Sequence, residues 1–332
     1  MSLPRVAING FGRIGRLAFR ANLINPVIDI VSVNDLSGPE QAAHLLKWDS
    51  VYGQLNADVQ VKEDGITVNG KFIKVHSERE PTNLPWAAEN IDVVMECTGI
   101  FRTKETAGKH LKAGAKKVVI SAPGKDDMPT FCIGVNEDTY NSADHIVSNA
   151  SCTTNCLAPI AKIINDEFGI KRATITTTHS YTSSQNLVDG SNKDARRGRA
   201  AALSFFPTST GAAKAVSLVI PELEGKFQGM AIRIPSPTVS IVDLVAEVAK
   251  DTTIEEINEL FKRYSQGKLK GIVDISYVPL VSVDYQGNPN SAIVDAEYTN
   301  VIGGNLIKVI AWYDNEWGYA NRLNDMSAHI MK

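Results

Sequence analysis

One cysteine carries the clearest chemical signal in this chain. Cys152 lies in Ser148-Asn149-Ala150-Ser151-Cys152-Thr153-Thr154-Asn155-Cys156, a run of small polar residues that leads into an apolar, helically spaced pattern over residues 157–168. That pattern puts Cys152 at or near a helix N-terminus, where backbone N–H groups lack intrahelical partners and carry partial positive charge. A thiol in that field gives up its proton more easily, and the thiolate is the nucleophile. Small neighbours leave the sulfur open to a reactant. Cys156 lies one turn further on and is expected on the same side of the helix. Pro159 is expected in the first turns, where a missing N–H costs little. A lone cysteine is more often a small buried residue, so the case for catalysis depends on what accompanies it.

His179 accompanies it. Residues 171–179 (K-R-A-T-I-T-T-T-H) are rich in β-branched side chains and read as a strand that His179 ends. A histidine there, ahead of a polar loop, suits a general base and electrostatic partner for Cys152. Residues 180–204 form a long polar stretch without helix or strand period, which in a compact domain points to a functional loop. It carries Thr182 and Arg196-Arg197-Gly198-Arg199; the arginines fit equally a solvated or subunit-facing cluster. Thr208-Ser209-Thr210-Gly211-Ala212-Ala213-Lys214 reads as a second small-residue helix start, suited to an anion. Residues 226–234 and 238–248 read as strands joined by Pro235-Ser236-Pro237, and Arg233 beside that turn can grip a phosphate with two donors. A helix at 253–264, strands near 291–295 and 305–312, and a closing amphipathic helix to 331 complete an α+β unit with a mixed sheet.

The elements that must bring a reactant to this thiol lie upstream. Residues 6–9 form a short apolar strand that runs into Gly10-Phe11-Gly12-Arg13-Ile14-Gly15 and a helix over 13–25; a second strand at 28–33 ends at Asn34-Asp35. This is a G-x-G-x-x-G in strand–turn–helix–strand context, with an acid twenty residues beyond Gly15. Gly10 makes the tight turn, Gly12 lets the backbone approach a pyrophosphate, and Gly15 lets helix pack on strand. Asp35 would accept from ribose hydroxyls and repel a 2′-phosphate. Strands at 91–96 and 117–120, with a helix at 103–113 between them, continue the style. Their ends, Thr98-Gly99 and Ser121, would line the crevice at the carboxyl edge of the sheet. Cys97 reads as core. A last strand at 145–147 delivers the chain to Cys152.

The fold class is therefore α/β: a Rossmann dinucleotide-binding domain over residues 1–150 and an α+β catalytic domain with a mixed, largely antiparallel sheet over 151–315. The C-terminal helix, 316–332, is expected to pack back on the cofactor domain. The 332 residues include 43% hydrophobic and 21% charged side chains with a net charge of −3, which gives no reason to expect nucleic acid or an anionic membrane as a partner. Four sparse cysteines show no disulfide framework or zinc-ribbon spacing, so no metal is expected. The first strand starts almost at once and no apolar run reaches spanning length, so the expected location is cytoplasmic, without leader or membrane span.

Together the set suits aldehyde oxidation through a hemithioacetal and a thioester. Asn9-Gly10-Phe11-Gly12-Arg13-Ile14-Gly15-Arg16, Ser151-Cys152-Thr153-Thr154-Asn155-Cys156, His179-Ser180-Tyr181-Thr182, Ser209-Thr210-Gly211-Ala212-Ala213-Lys214 and Trp312-Tyr313-Asp314-Asn315-Glu316 resemble, end to end and in register, the phosphorylating glyceraldehyde-3-phosphate dehydrogenase family. The resemblance implies NAD as cofactor, and glyceraldehyde 3-phosphate with inorganic phosphate as substrates. It implies that Cys152 carries the acyl group and that His179 activates it. It implies that Thr182 and Arg233 hold the substrate phosphate, and that Ser151, Thr153, Arg197, Thr210 and Gly211 hold the attacking phosphate. Arg13, Ile14, Asp35, Arg79, Ser121 and Asn315 would bind NAD, with Asn315 orienting the carboxamide. It further implies a homotetramer in which the 180–204 loop reaches toward a neighbour's cofactor. One departure stands out: Asp189-Gly190-Ser191 has serine where NAD-specific members commonly carry proline, which suggests NAD preference with some NADP tolerance. An erythrose-4-phosphate-type dehydrogenase is the nearest alternative; a cysteine hydrolase or an idle nucleotide-binding protein is a more distant one.

Overall fold

The computed structural model describes residues 2–332. They divide into two compact units, one running up to Ser151 and including Ala320–Lys332, the other Cys152–Tyr319.

The first unit contains β1 (Arg5–Asn9), α1 (Arg13–Ile24), β2 (Asp29–Asn34), α2 (Gly38–Lys47), β3 (Val59–Lys62), β4 (Gly65–Val68), β5 (Lys71–His76), β6 (Val93–Glu96), α3 (Lys104–Lys112), β7 (Lys117–Ile120) and β8 (Ile146–Ser148). Its sheet runs β3-β4-β5-β2-β1-β6-β7-β8. From β5 to β8 every pairing is parallel, while β3, β4 and β5 form an antiparallel meander at one edge. The strand order thus reverses between β1 and β6, the switch point where doubly wound sheets bind ligands. Strands β6 and β7 are buried throughout, as parallel strands covered on both faces must be. Residues 36–90, which supply α2 and the meander, carry no element in the sequence reading. Two glycines are dictated by contact. Gly10 has φ +93°, and a Cβ there would sit 2.7 Å from the Thr98 backbone nitrogen. A Cβ on Gly15 would strike the Gly10 carbonyl oxygen.

The second unit contains α4 (Cys152–Phe168), β9 (Ile170–Ser180), β10 (Phe206–Ser209), α5 (Ala212–Val219), β11 (Phe227–Ile234), β12 (Ser240–Val248), α6 (Ile254–Gln266), β13 (Val273–Ser276), β14 (Ala292–Asp295), β15 (Asn300–Ile302) and β16 (Leu306–Tyr313). The sheet order is β10-β11-β9-β12-β16-β14-β13, with β15 on β16. It is mixed and largely antiparallel; β11–β9 and β13–β14 are the parallel pairs. The strands on either side of Pro235-Ser236-Pro237 do not pair with each other, because β9 lies between them. Thr208 and Ser209 belong to β10, so the second helix starts only at Ala212.

Pro159 corrects one expectation. Helix α4 begins at Cys152, which puts Pro159 in its interior, past the first turn. There a proline has no N–H to give to the helical ladder. The final helix, α7 (Trp317–His329), spans the division between the units. Within the first unit, Asn324 donates to the Ala18 carbonyl of α1 (2.9 Å), and His329 lies 3.0 Å from the Glu137 carbonyl. No helix among the described residues is long and apolar enough to cross a membrane.

Candidate active site

Cys152 is the first residue of α4 and keeps part of its surface. The chain reaches it through Ala150, a non-glycine residue at φ +54°. That left-handed conformation costs on the order of 1 kcal/mol and concentrates where geometry matters more than comfort. Strand β9 brings His179 to the thiol: Sγ and Nε2 are 3.4 Å apart, and the imidazole is 4% exposed.

One buried tyrosine fixes that meeting. The Tyr313 hydroxyl lies 2.9 Å from Thr153 Oγ1 on α4 and 2.9 Å from Thr177 Oγ1 on β9. It therefore ties the first turn of the cysteine helix to the histidine strand two residues before His179. Its ring meets the imidazole edge-on at 6.1 Å. Tyr313 lies within a quoted motif but received no role from sequence; it is 160 residues from Thr153, beyond any local pattern.

Arg233 reaches the same place because β11 runs parallel to β9, with Arg233 in register with His179. Its Nη1 donates to the Ser180 carbonyl (2.8 Å) and sits 2.9 Å from His179 Nδ1. Nδ1 is 2.7 Å from that carbonyl. Nδ1 thus faces one group that only donates, the guanidinium, and one that only accepts, the carbonyl; in the tautomer that donates to Ser180, Nε2 faces the sulfur with its lone pair, the form a base at this thiol requires. Arg233 Nε is buried without a protein partner, as suits a guanidinium that grips an anion.

The electrostatics correct the expectation of a plainly acidified thiol. Burial pushes the Cys152 thiol up from its ordinary value, against the opposing pull of the Arg233 charge, Thr153 and its own backbone N–H. Burial, then the Arg233 and Arg197 charges, push His179 down to about 3, against its bond to Ser180. Desolvation outweighs the helix terminus for each group alone. Moving the proton from sulfur to Nε2 leaves the net charge of the pair unchanged and creates attraction at contact distance, so the two titrate as one unit.

Of the other phosphate candidates, Arg197 is near enough for its charge to act on His179. Arg197 is paired with Asp194 (3.5 Å) and donates to Ser184 Oγ (3.3 Å) and Thr208 Oγ1 (3.3 Å). Thr182 Oγ1 meets the same Ser184 hydroxyl at 2.9 Å. Thr210 Oγ1 accepts from Ala212 N (3.2 Å) at the start of α5, and open space surrounds the Gly211 Cα. The Thr153 hydroxyl is committed to Tyr313, while Ser151 stays partly exposed. Asn315 is 5% exposed; its Oδ1 accepts from Ser180 Oγ (2.8 Å) and Ser240 Oγ (3.0 Å), which turns its amide nitrogen away from both hydroxyls. Neither serine hydroxyl was singled out from sequence.

In the first unit a cavity of about 530 Å³ opens at the switch point, lined by Asn9, Gly10, Gly12, Asp35, Arg79 and Thr98 among others. Asp35 accepts from Phe11 N (3.0 Å) and from Ser37 N and Oγ (3.1 and 2.6 Å), which fixes the carboxylate at the rim. Helix α1 has no side-chain cap at Gly12, and a Cβ there would meet nothing within 4 Å. A ligand can therefore approach the backbone at the start of α1, where helix N–H groups form the kind of donor set that a pyrophosphate requires. The Arg13 side chain is bound to Asp49 (2.6 Å). Gly99 (φ +72°) follows Thr98 in its turn, and Ser121 N donates to the Glu96 carbonyl at the end of β7. Of the expected cofactor residues in this unit, Arg13, Ile14, Gly15, Gly99 and Ser121 do not line this cavity, and Asn315 belongs to the second unit. The donor set and the acid fit NAD.

Residues 4–104 match the profile of the glyceraldehyde 3-phosphate dehydrogenase NAD binding domain, and residues 151–315 match its C-terminal domain. Among curated relatives, glyceraldehyde-3-phosphate dehydrogenase 1 of Bacillus subtilis is 55% identical over 99% of this chain and 98% of its own length. Glyceraldehyde-3-phosphate dehydrogenase 2 of Trichormus variabilis is 58% identical over 97% of each chain. The chloroplastic glyceraldehyde-3-phosphate dehydrogenase A of Zea mays is 54% identical over 97% of this chain and 81% of its own.

Proposed function

The chain belongs to the glyceraldehyde 3-phosphate dehydrogenase family, and from that premise we infer that it oxidises and phosphorylates glyceraldehyde 3-phosphate through Cys152. It is an NAD-dependent oxidoreductase. The observation that carries the mechanism is the 3.4 Å approach of Cys152 Sγ to His179 Nε2, with Arg233 against the far side of the ring.

Sulfur adds to the aldehyde carbon as its proton leaves for Nε2, and Nε2 returns that proton to the former carbonyl oxygen, giving a hemithioacetal. When bound, NAD would supply the hydride-accepting chemistry at this carbon. His179 takes the hydroxyl proton as the hydride departs, which leaves a thioester on Cys152. An oxygen of inorganic phosphate attacks the thioester carbon, the C–S bond breaks, and the sulfur recovers its proton from the imidazolium. The phosphate's own proton passes to water, and 1,3-bisphosphoglycerate is released. Arg233 and Thr182 would hold the substrate phosphate. Ser151, Thr153, Arg197, Thr210 and Gly211 would form the site for the attacking phosphate, with Thr153 contributing its backbone while Tyr313 keeps its hydroxyl. Asp35 and Arg79 would hold the adenosine end of NAD, Arg13 and Ile14 its phosphates, with Thr98, Gly99 and Ser121 nearby. Asn315 would orient the carboxamide.

The same reading makes the protein a cytoplasmic homotetramer. All four cysteines are free thiols. The 180–204 loop and the residue after it expose Leu187 (79%), Leu203 (84%) and Phe205 (74%), an apolar tip suited to a neighbouring subunit.

Purified protein with glyceraldehyde 3-phosphate and NAD should produce NADH only when inorganic phosphate is present, and Cys152→Ser should abolish turnover while NAD still binds. Turnover that ignores phosphate would sink the reading.

A further inference from the structure

We propose that Glu96 is a positioning residue for the cofactor: a buried hydrogen-bond acceptor that locks the end of β1 and the turn after β6 together as one wall of the Asp35 cavity. The proposal rests on the reading that this cavity receives the adenosine end of NAD.

Glu96 ends β6, and its side chain is fully buried. Its Oε2 receives Asn9 Nδ2 (2.6 Å) and His110 Nε2 (3.0 Å). Its Oε1 receives Thr98 N (2.8 Å) and the Thr98 hydroxyl. The direction of each bond can be read from the far end. Trp86 Nε1 lies 3.1 Å from His110 Nδ1. An indole nitrogen only donates, so Nδ1 is the bare nitrogen of a neutral ring, and Nε2 carries the proton that Glu96 accepts. On the other side, Asn9 Oδ1 is taken by Asn34 Nδ2 (2.7 Å), which leaves the Asn9 amide nitrogen for the carboxylate. Asn34 Oδ1 in turn accepts from Glu78 N (2.8 Å). The Thr98 hydroxyl already accepts from Ile100 N (3.1 Å). The group at position 96 must therefore be an acceptor at both oxygens. A carboxyl group can be; the amide of a glutamine would set donor against donor at one oxygen or the other.

The chain from Trp86 to Glu78 reaches the cavity at Asn9, Asn34, Glu78 and Thr98, which all line it. Phe101 lines it too, and its ring meets the edge of His110 at 6.2 Å. The Thr98 backbone packs on Gly10, so a shift of Thr98 would press directly on the turn that accommodates pyrophosphate. The network thus sets the wall before the cofactor arrives, which removes an ordering cost from binding. Neither Glu96 nor His110 has a place in the chemistry at Cys152.

The test uses the full chain, with NAD binding measured by calorimetry beside steady-state kinetics. Glu96→Gln should weaken NAD about tenfold or more, the scale expected when a buried donor loses its acceptor. KM for NAD should rise in step, while kcat at saturating NAD and KM for glyceraldehyde 3-phosphate stay within about twofold of wild type. His110→Gln can accept from Trp86 with its oxygen and donate to Glu96 with its nitrogen, so it should bind NAD within about threefold of wild type. His110→Phe fills similar space without either bond and should fall toward Glu96→Gln. If Glu96→Gln does not fold, the two His110 variants decide. Wild-type NAD affinity in Glu96→Gln, or equal NAD affinities in the two His110 variants, would overturn the proposal. Asp35→Gly separates the premise from the proposal. If it leaves the NAD/NADP preference untouched, the cavity is not the adenosine site. If it shifts that preference while Glu96→Gln binds NAD normally, only the role of Glu96 fails.

Discussion

His179 and His110 lie in different units, each buried, each with a polar partner at both ring nitrogens. At His110 the partners are a donor-only indole and a carboxyl group, and the ring proton points at the carboxyl oxygen. At His179 the partners are a carbonyl shared with Arg233 and a thiol at 3.4 Å. The second arrangement is loose at the nitrogen that faces the sulfur, and there one proton has two places to be. A closed network makes a wall; an open one makes a base.

The largest break in that contrast comes from His179→Gln. It should lower kcat by about 10²–10⁴-fold, the usual contribution of a general base. The pH dependence of Cys152 alkylation should move with it: with the partner gone, burial still outweighs the pull of Arg233, Thr153 and the backbone N–H, so the midpoint should rise above that of wild type. An unchanged midpoint would show that the two groups do not titrate together.

Tyr313→Phe should come next. It removes the hydroxyl that holds Thr153 to Thr177, and the resulting freedom between α4 and β9 should cost roughly tenfold or more in kcat, since small misplacements of reacting groups are expensive. KM for NAD should hardly move. A rise in that KM with normal kcat would reverse the assignment.

Asp35→Gly acts on the other unit. It should narrow the NAD/NADP ratio of kcat/KM by about tenfold, the worth of one charge-assisted hydrogen bond, with kcat for NAD little changed. Equal kcat/KM values already in wild type would end the expectation of NAD preference.

The smallest effect is on stability. An unfolded histidine binds a proton below about 6.5, whereas folded His179 does so only near 3. Between those values the unfolded chain holds the extra proton, so acidification through that window removes stability that is fully present above it. Urea midpoints of His179→Gln should therefore fall less steeply than those of wild type between about pH 6.5 and 4. Parallel slopes would mean that the folded imidazole titrates normally.

Much of this was legible in the sequence wherever the signal is local. The glycine turn, the acid after β2 and the helix behind Cys152 all follow from spacing within some thirty residues. The meander of β3, β4 and β5 escaped notice because its short, partly exposed strands lack a sustained apolar run. The apolar pattern suggests a helix start near 157, which puts Pro159 in the first turns, whereas the polar turn at 152–156 already belongs to α4. Thiol acidity was misjudged for a different reason: a helix terminus can be read from sequence, but the desolvation that opposes it depends on burial. Tyr313, Ser180 and Ser240 act through partners from distant strands, which spacing does not reveal.

The place of β9 between β11 and β12 has a consequence for synthesis. Its segment Thr174-Ile175-Thr176-Thr177-Thr178 leaves the ribosome long before either neighbour, since β11 begins at Phe227 and β12 at Ser240. Until they arrive, a β-branched strand stands with both edges open, ready to pair with the same strand of another nascent chain. Refolding yield should therefore fall as protein concentration rises, and chain release before residue 227 should give aggregates rather than a half-built enzyme.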